Sequence, residues 1–331
     1  MLPRWRLPLL ALGFVSLAFG VAGGLARLSG LEVAGTAIAL HGPLMVSAFF
    51  GTVISLERAV ALERPWAYAA PLCAGLSGVV LLAGFGIAGM ALMALAAALF
   101  FLSNIVVLQR QRSLETATLL AGAAAWLAGN LMVFYGQAAV PWWIAFFALT
   151  IGAERLELSR YLKRPPAVRA AFMLLAAAIL VLPPFPAALG VALALLALWL
   201  SLFDLARVTV RQSGLPRYVA VCLLAGYFWL AAGGVLMALS MAYDAALHAI
   251  FVGFVFSMVF GHAPVILPAV LRVRFPYRAF LYVPLALLHA SLAVRVAVST
   301  GIGAWGNAAA VALFIATGAL ICIKGAVTRA R

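Results

Sequence analysis

The positively charged residues of this 331-residue chain fall almost entirely on one side of a regular series of apolar segments. Each of the twelve segments is close to the roughly 20 residues needed to cross the hydrocarbon core of a bilayer. They are residues 7–28, 36–56, 66–86, 88–108, 116–137, 140–160, 168–182, 185–204, 217–240, 245–268, 279–299 and 303–323. Of the 22 Lys and Arg residues, only Arg27 and Arg295 lie near the other side. Since cytoplasmic loops are enriched in Lys and Arg, the pattern predicts twelve crossings with both termini in the cytoplasm.

The composition predicts an all-α polytopic membrane protein. Hydrophobic residues make up 67% of the chain and charged residues only 9%, whereas a soluble domain needs more charge on its surface. The connecting loops are too short for a separate soluble domain, so we expect a single transmembrane domain over residues 1–331 in a bacterial-type cytoplasmic membrane. The net charge of +14 lies in short loops beside apolar segments, which indicates contact with the lipid bilayer rather than with nucleic acid.

Segments 2, 6 and 10 end in similar sequences. Pro65, Pro165 and Pro276 follow them, each near one or more arginines, and consecutive prolines are four segments apart. Internal repetition is common in membrane folds, so this pattern predicts three pseudo-symmetric arcs of four helices. The alternative is that Arg and Pro simply end many helices at the cytoplasmic side.

All four histidines lie within the apolar segments, and we predict that they bind a cofactor. His41 is in segment 2, His248 and His262 are in segment 10, and His289 is in segment 11. Ionisable groups inside a membrane are costly and usually functional. The alternative for each is an ordinary hydrogen bond between helices, the role that we also predict for Asn104, Asn130, Tyr227 and Asn307.

Helical geometry sorts the histidines into an outer pair, His41 and His248, and an inner pair, His262 and His289. His248 and His262 are about 21 Å apart along one helix, so they cannot bind the same metal, and each needs a partner from another helix. Met45 lies one turn after His41 and Met258 one turn before His262. A histidine with a thioether could hold Cu(I), so copper is a second candidate, although methionine is also a common gap-filling residue.

Charged residues at the cytoplasmic ends of segments 2 and 6 are predicted to form ion pairs. Glu57 and Arg58 end one segment, and Glu154 and Arg155 end the other. If the two helices are neighbours, these groups can pair across them and lower the cost of lying near the bilayer. The alternative is an entry for protons or substrate from the cytoplasm.

The stretch His41-Gly42-Pro43-Leu44-Met45 resembles the HGxxM motif in the second helix of haem-copper oxidase subunit I, and residues 248–256 resemble the start of that family's tenth helix. The resemblance implies twelve spans, a cytoplasmic N-terminus, three arcs of helices and one low-spin haem ligated by His41 and His248. The chain is also similar in size and span number to the NnrS membrane proteins, which are associated with haem and nitric-oxide stress.

The chain departs from the oxidase pattern at the oxygen-reducing centre. Ala246 stands where that family has its second haem ligand, and segments 6 and 7 contain no histidine for copper. The resemblance therefore does not extend to reduction of oxygen to water. His262 and His289 have no counterpart in it, and they are left as candidates for a second haem or a copper ion.

We therefore predict a haem-binding membrane protein that acts in electron transfer or in the response to a diatomic gas such as nitric oxide. This function implies a redox partner in the membrane or the periplasm. No catalytic residue is identified, and whether the protein is an enzyme is left open. The alternatives are a secondary transporter of a small solute or metal ion, and a non-catalytic assembly subunit of a membrane complex.

Overall fold

The computed structural model describes residues 5–29, 35–159, 162 and 165–327, and within these ranges it contains helices and turns but no β-strand. The predicted all-α fold is therefore confirmed. The α-helices are α1 (Arg6–Ser29), α2 (Gly35–Ala39), α3 (His41–Pro43), α4 (Gly51–Leu62), α5 (Ala69–Leu82), α6 (Gly86–Arg110), α7 (Leu114–Phe134), α8 (Val140–Leu158), α9 (Pro166–Val181), α10 (Pro186–Phe203), α11 (Ala206–Thr209), α12 (Leu215–Ala238), α13 (Tyr243–His248), α14 (Ser257–Leu271), α15 (Tyr282–Ala297) and α16 (Thr300–Val327). Short 3-10 helices at Pro65–Tyr68 and Ala279–Leu281 lead into α5 and α15.

Ten helical stretches of the described chain are long and apolar enough to cross a membrane, as expected for a multi-pass membrane protein. They coincide with predicted segments 1–5 and 8–12. The sixth segment corresponds to α8, which carries Glu154, Arg155 and Glu157 near its end, and the seventh corresponds to α9, which has 16 residues. Many large apolar side chains are exposed, which suits contact with lipid. The count of twelve crossings stays a prediction.

The orientation in the membrane also stays a prediction. Several of the cationic residues on which it rests lie outside the described residues, namely Arg4, Arg160, Lys163, Arg164, Arg329 and Arg331.

The chain divides into two compact units, Met1–Thr150 and Ile151–Arg331. The core of the first unit contains a cluster of aromatic rings from three helices. Trp126 of α7 stacks on Phe146 of α8 with ring centroids 5.3 Å apart, and Phe100 of α6 meets both rings edge-on. All three side chains are fully buried, so they hold α6, α7 and α8 together.

In the second unit, α10 and α12 cross at two glycines. A Cβ atom on Gly190 would lie 2.5 Å from the Gly234 carbonyl oxygen, and one on Gly234 would lie 2.7 Å from the Gly190 carbonyl oxygen. Neither contact leaves room for a side chain. Small residues allow membrane helices to pack backbone against backbone, which is the interaction that joins these two helices.

Segments 2 and 10 share an unusual backbone. A π-helical stretch at Leu44–Phe50 separates α3 from α4, and another at Ala249–Phe256 separates α13 from α14; no other occurs in the described ranges. Each helix then ends at a residue in the left-handed conformation, Glu63 or Arg272. The fully described α8 has no π-helical stretch, so this similarity does not extend to segment 6. π-Helical stretches are rare and often mark functional sites.

Candidate functional site

His41 lies three residues before the π-helical stretch Leu44–Phe50, here called the first π segment, and is oriented by α1. Its Nδ1 atom is 2.6 Å from the carbonyl oxygen of Gly20. Because a carbonyl only accepts hydrogen bonds, Nδ1 carries the hydrogen, and in the neutral ring Nε2 carries the lone pair. Metal-ligating histidines commonly donate their other N–H to a carbonyl in this way. The ring is therefore in the tautomer that ligates a metal through Nε2.

Two glycines of α1 make room for His41 and for its neighbour Met45. A Cβ atom on Gly24 would lie 2.8 Å from Cε1 and 2.9 Å from Nδ1 of His41, and one on Gly20 would lie 2.8 Å from Sδ of Met45. Both side chains thus lie directly against the α1 backbone. The position of the imidazole depends on the absence of side chains on that face of α1.

A buried hydrogen-bond network holds the first π segment. The Oδ1 atom of Asn130 accepts from Ser47 Oγ at 2.6 Å and from Trp143 Nε1 at 3.0 Å, and its Nδ2 atom donates to the Met93 carbonyl at 2.9 Å. Trp126 Nε1 also donates to Ser47 Oγ. Ser47 belongs to the π segment, so the network ties this segment to α6, α7 and α8.

Two of the predicted hydrogen bonds between helices are confirmed. Asn130 joins its helix to α6, and Asn307 of α16 donates to Ser291 Oγ of α15 at 2.7 Å. For Asn104, the bond is within its own helix, to the Phe100 carbonyl. Tyr227 is fully buried in α12, and its predicted hydrogen bond to another helix is not confirmed.

His248 ends α13 and immediately precedes the second π segment. Its Nδ1 atom lies 2.7 Å from the Asp244 carbonyl oxygen and 3.2 Å from Asp244 Oδ1. Nδ1 is again the donor, so Nε2 carries the lone pair of the neutral ring. Arg295 of α15 donates hydrogen bonds from Nε and Nη2 to the same carboxylate. The sequence analysis did not single out Asp244, although an acidic residue one helical turn before a histidine was a usable signal.

His262 has the same tautomer, whereas its predicted methionine partner contacts it through the backbone. The Nδ1 atom of His262 lies 2.8 Å from the Met258 carbonyl oxygen. The Met258 side chain packs against α12, where a Cβ atom on Gly226 would lie 2.5 Å from its Cε. His262 lies within α14 rather than shortly before a π segment.

His289 has the opposite hydrogen-bonding pattern. Trp229 Nε1 donates to its Nδ1 at 3.0 Å, so the hydrogen of the neutral ring is on Nε2. Nε2 lies 3.3 Å from Ser257 Oγ, which itself donates to the Cys222 carbonyl. Both ring nitrogens are engaged with the protein, which favours a structural role. The ring contacts Ser257, which precedes His262 by five residues in α14, or about 7.5 Å along the helix axis. The sequence analysis had grouped His289 and His262 as an inner pair.

The ion pair at the end of α8 differs from the prediction. Arg155 donates to Asp204, which follows α10, through Nε at 2.8 Å and Nη2 at 3.1 Å. The two side chains are 5% and 0% exposed, so this is a buried, bidentate pair. Its partner is therefore a residue that the sequence analysis did not consider. Pairing by Glu57, Arg58 and Glu154 stays a prediction.

Within the described residues, no group of three or more His, Cys, Asp and Glu side chains could hold a metal ion. Copper binding with Met45 or Met258 therefore stays a prediction.

Comparison with known proteins identifies a family but not an activity. A family model described as "Domain of unknown function (DUF8744)" matches residues 6–323, which is nearly the whole chain. No curated protein and no solved structure matches the chain.

Proposed function

We propose that this chain, which belongs to the DUF8744 family, is a haem-binding integral membrane protein with His41 and His248 as ligands of the iron. One observation carries the proposal. Among the four histidines, only these two combine an Nδ1–H bond to a backbone carbonyl with a position one to three residues before a π segment. Each ring is thus held in a ligating tautomer at a specialised point of its helix.

The residues present fit a haem. The porphyrin supplies the equatorial donors of the iron, so the protein needs to contribute only one or two axial imidazoles. A neutral imidazole with its hydrogen on Nδ1 presents the required lone pair on Nε2. The absence of a side chain on Gly24 leaves room for the His41 ring itself, because a Cβ atom there would lie 2.8 Å from its Cε1.

A haem held by His41 and His248 would supply reversible one-electron chemistry. Electron transfer is therefore the activity that this ligand set favours. A response to a diatomic gas such as nitric oxide would be favoured instead if only one of the two histidines held the iron. In either case the carbonyls of Gly20 and Asp244 keep the rings oriented. The inner-membrane location, the cytoplasmic termini and a redox partner in the membrane or periplasm belong to this proposal.

The test is the absorption spectrum of protein purified in detergent from haem-replete cells. We expect a Soret band and a low-spin spectrum, with haem confirmed by the pyridine haemochromogen assay. His41→Ala and His248→Ala should each lose the low-spin spectrum, and the double variant should lose the haem. His289→Gln is the matched control, because His289 is bound to protein at both nitrogens; it should keep the wild-type spectrum.

A colourless wild-type protein would refute the proposal and leave the two alternatives. Secondary transporters also have irregular helices near their substrate sites. A transporter would be colourless and would take up solute in proteoliposomes. An assembly subunit would be colourless and inactive alone, but would co-purify with a membrane complex.

A further inference from the structure

We propose that Asp244 is a positioning residue for His248: its carboxylate, held by Arg295, polarises the Nδ1–H bond and increases electron donation from the imidazole to the haem iron. The inference rests on the proposed function, in which His248 is an iron ligand.

Two oxygens of one residue share the single hydrogen on His248 Nδ1. The Asp244 carbonyl is at 2.7 Å and the carboxylate oxygen Oδ1 is at 3.2 Å, so the carbonyl takes the larger part of the hydrogen bond. The backbone therefore orients the ring, and the carboxylate adds a negative charge beside it. Because only the carboxylate changes when Asp244 is substituted, the two roles can be separated by experiment.

Arg295 keeps the carboxylate in place. Its Nε atom lies 3.2 Å from Oδ2, and its Nη2 atom lies 3.1 Å from Oδ2 and 3.2 Å from Oδ1. Asp244 is 51% exposed and could turn towards solvent, whereas Arg295 is only 8% exposed. The planar guanidinium forms a fork that fixes both oxygens. Arg295 is also one of two cations against the positive-inside pattern, and this contact supplies a reason for its position.

A carboxylate hydrogen-bonded to the non-ligating nitrogen makes a histidine a stronger donor, which stabilises the oxidised metal. The reduction potential of the haem should therefore be lower than with a neutral partner at this position.

The experiment compares haem content, midpoint potential and low-spin EPR spectrum of full-length Asp244→Asn with those of wild type. We expect unchanged haem content, because the backbone carbonyl remains, together with a potential shifted upward and altered EPR g values. Asp244→Glu should move the potential back towards wild type. Glu63→Gln removes an exposed charge that follows α4, 22 positions along the chain from His41, and is the matched control, with no expected shift.

Arg295→Lys provides a second variant that keeps the positive charge and loses the fork. It should raise the potential in the wild-type background, because the carboxylate is released, but should add nothing in the Asp244→Asn background. It also serves as the test if Asp244→Asn does not accumulate in membranes. If Arg295→Lys shifted the midpoint potential equally in the wild-type and Asp244→Asn chains, Arg295 would not act by positioning the Asp244 carboxylate.

The outcomes separate this inference from the proposed function. A wild-type haem protein whose potential is unchanged in both Asp244→Asn and Arg295→Lys would overturn the inference alone. Loss of haem from folded Asp244→Asn would also overturn it, since the carboxylate would then be needed for binding rather than for tuning. A wild-type protein without haem would overturn both proposals.

Discussion

At the scale of single residues, hydrogen bonds distinguish between histidines that look equivalent in the sequence. His41, His248 and His262 donate from Nδ1 to carbonyls, whereas His289 accepts from Trp229. Since a carbonyl only accepts and an indole N–H only donates, these partners assign the tautomers without reference to any cofactor. The sequence could place each imidazole inside an apolar segment, but the tautomer depends on a partner atom that is supplied by the fold.

Gly24→Ala should disturb His41 without changing any polar group. The new Cβ atom would lie 2.8 Å from Cε1 of the imidazole, so the ring must leave the Gly20 carbonyl. We expect haem affinity to fall about 10-fold or more, as for loss of other partners that orient metal ligands. The measurement is haem titration of the purified apoprotein. Gly86→Ala is the control, because no atom lies within 4 Å of the added Cβ, and it should bind haem like wild type. Wild-type haem affinity in Gly24→Ala would contradict the role of His41 as a ligand.

Asn130→Ala should destabilise the first unit. It removes the acceptor of Ser47 and Trp143, leaving two buried donors without it, and the expected cost is about 1–3 kcal/mol for such a group. Asn104→Ala is the matched control, because Asn104 is equally buried but donates only within its own helix. Thermal unfolding in detergent should show a clearly lower midpoint for Asn130→Ala than for Asn104→Ala. Equal midpoints would contradict the role of the network.

At the scale of helices, the two π segments and the glycine crossing of α10 and α12 are the features that sequence reasoning did not resolve. Gly42 and Pro43 both disfavour a regular helix, and the first π segment begins at the residue that follows them. No comparable signal precedes Ala249–Phe256. Gly261 and Pro264 also disfavour a regular helix, yet both lie within the α-helix α14. A π segment depends on tertiary packing, so local propensity does not predict it.

Gly190→Ala should weaken the packing of α12 against α10. The atoms that the new Cβ would meet are backbone atoms of Gly234 and Ala238, which cannot move aside as a flexible side chain could. Overpacking of this kind typically costs about 1–3 kcal/mol. Gly152→Ala is the control, because its nearest neighbour is Phe172 at 3.5 Å, an ordinary contact. The thermal midpoint in detergent should fall for Gly190→Ala only; an unchanged midpoint would show that the crossing tolerates separation.

At the scale of the whole molecule, the length of the apolar segments describes the chain well. Ten of the predicted segments coincide with helices that are long and apolar enough to span a bilayer. This agreement is expected, because a helix inside lipid must satisfy its own backbone and cover itself with apolar side chains, and both requirements are visible locally in sequence.

The predicted orientation can be tested with single cysteines that replace exposed loop residues. Phe85→Cys and Tyr135→Cys should react with a membrane-impermeant maleimide in intact cells, because both loops are predicted to be outside. Gln111→Cys and Gln212→Cys should react only after permeabilisation. These variants are made in a chain in which the three native cysteines, Cys73, Cys222 and Cys322, are replaced, because free thiols would add background labelling. Labelling of Gln212→Cys in intact cells would invalidate the twelve-crossing topology.

The sequence by itself determined the all-α fold, the membrane environment and the approximate limits of most helices, because these follow from the length and polarity of continuous stretches. Only the tertiary structure decided the hydrogen-bond partner and tautomer of each histidine, the pairing of Arg155 with Asp204, and the hydrogen bonds from Arg295 to Asp244. These features join residues that are 21, 49 and 51 positions apart in the clearest cases. Contacts at such separations depend on how helices pack, and a hydrophobic pattern carries little information about which polar atoms then meet.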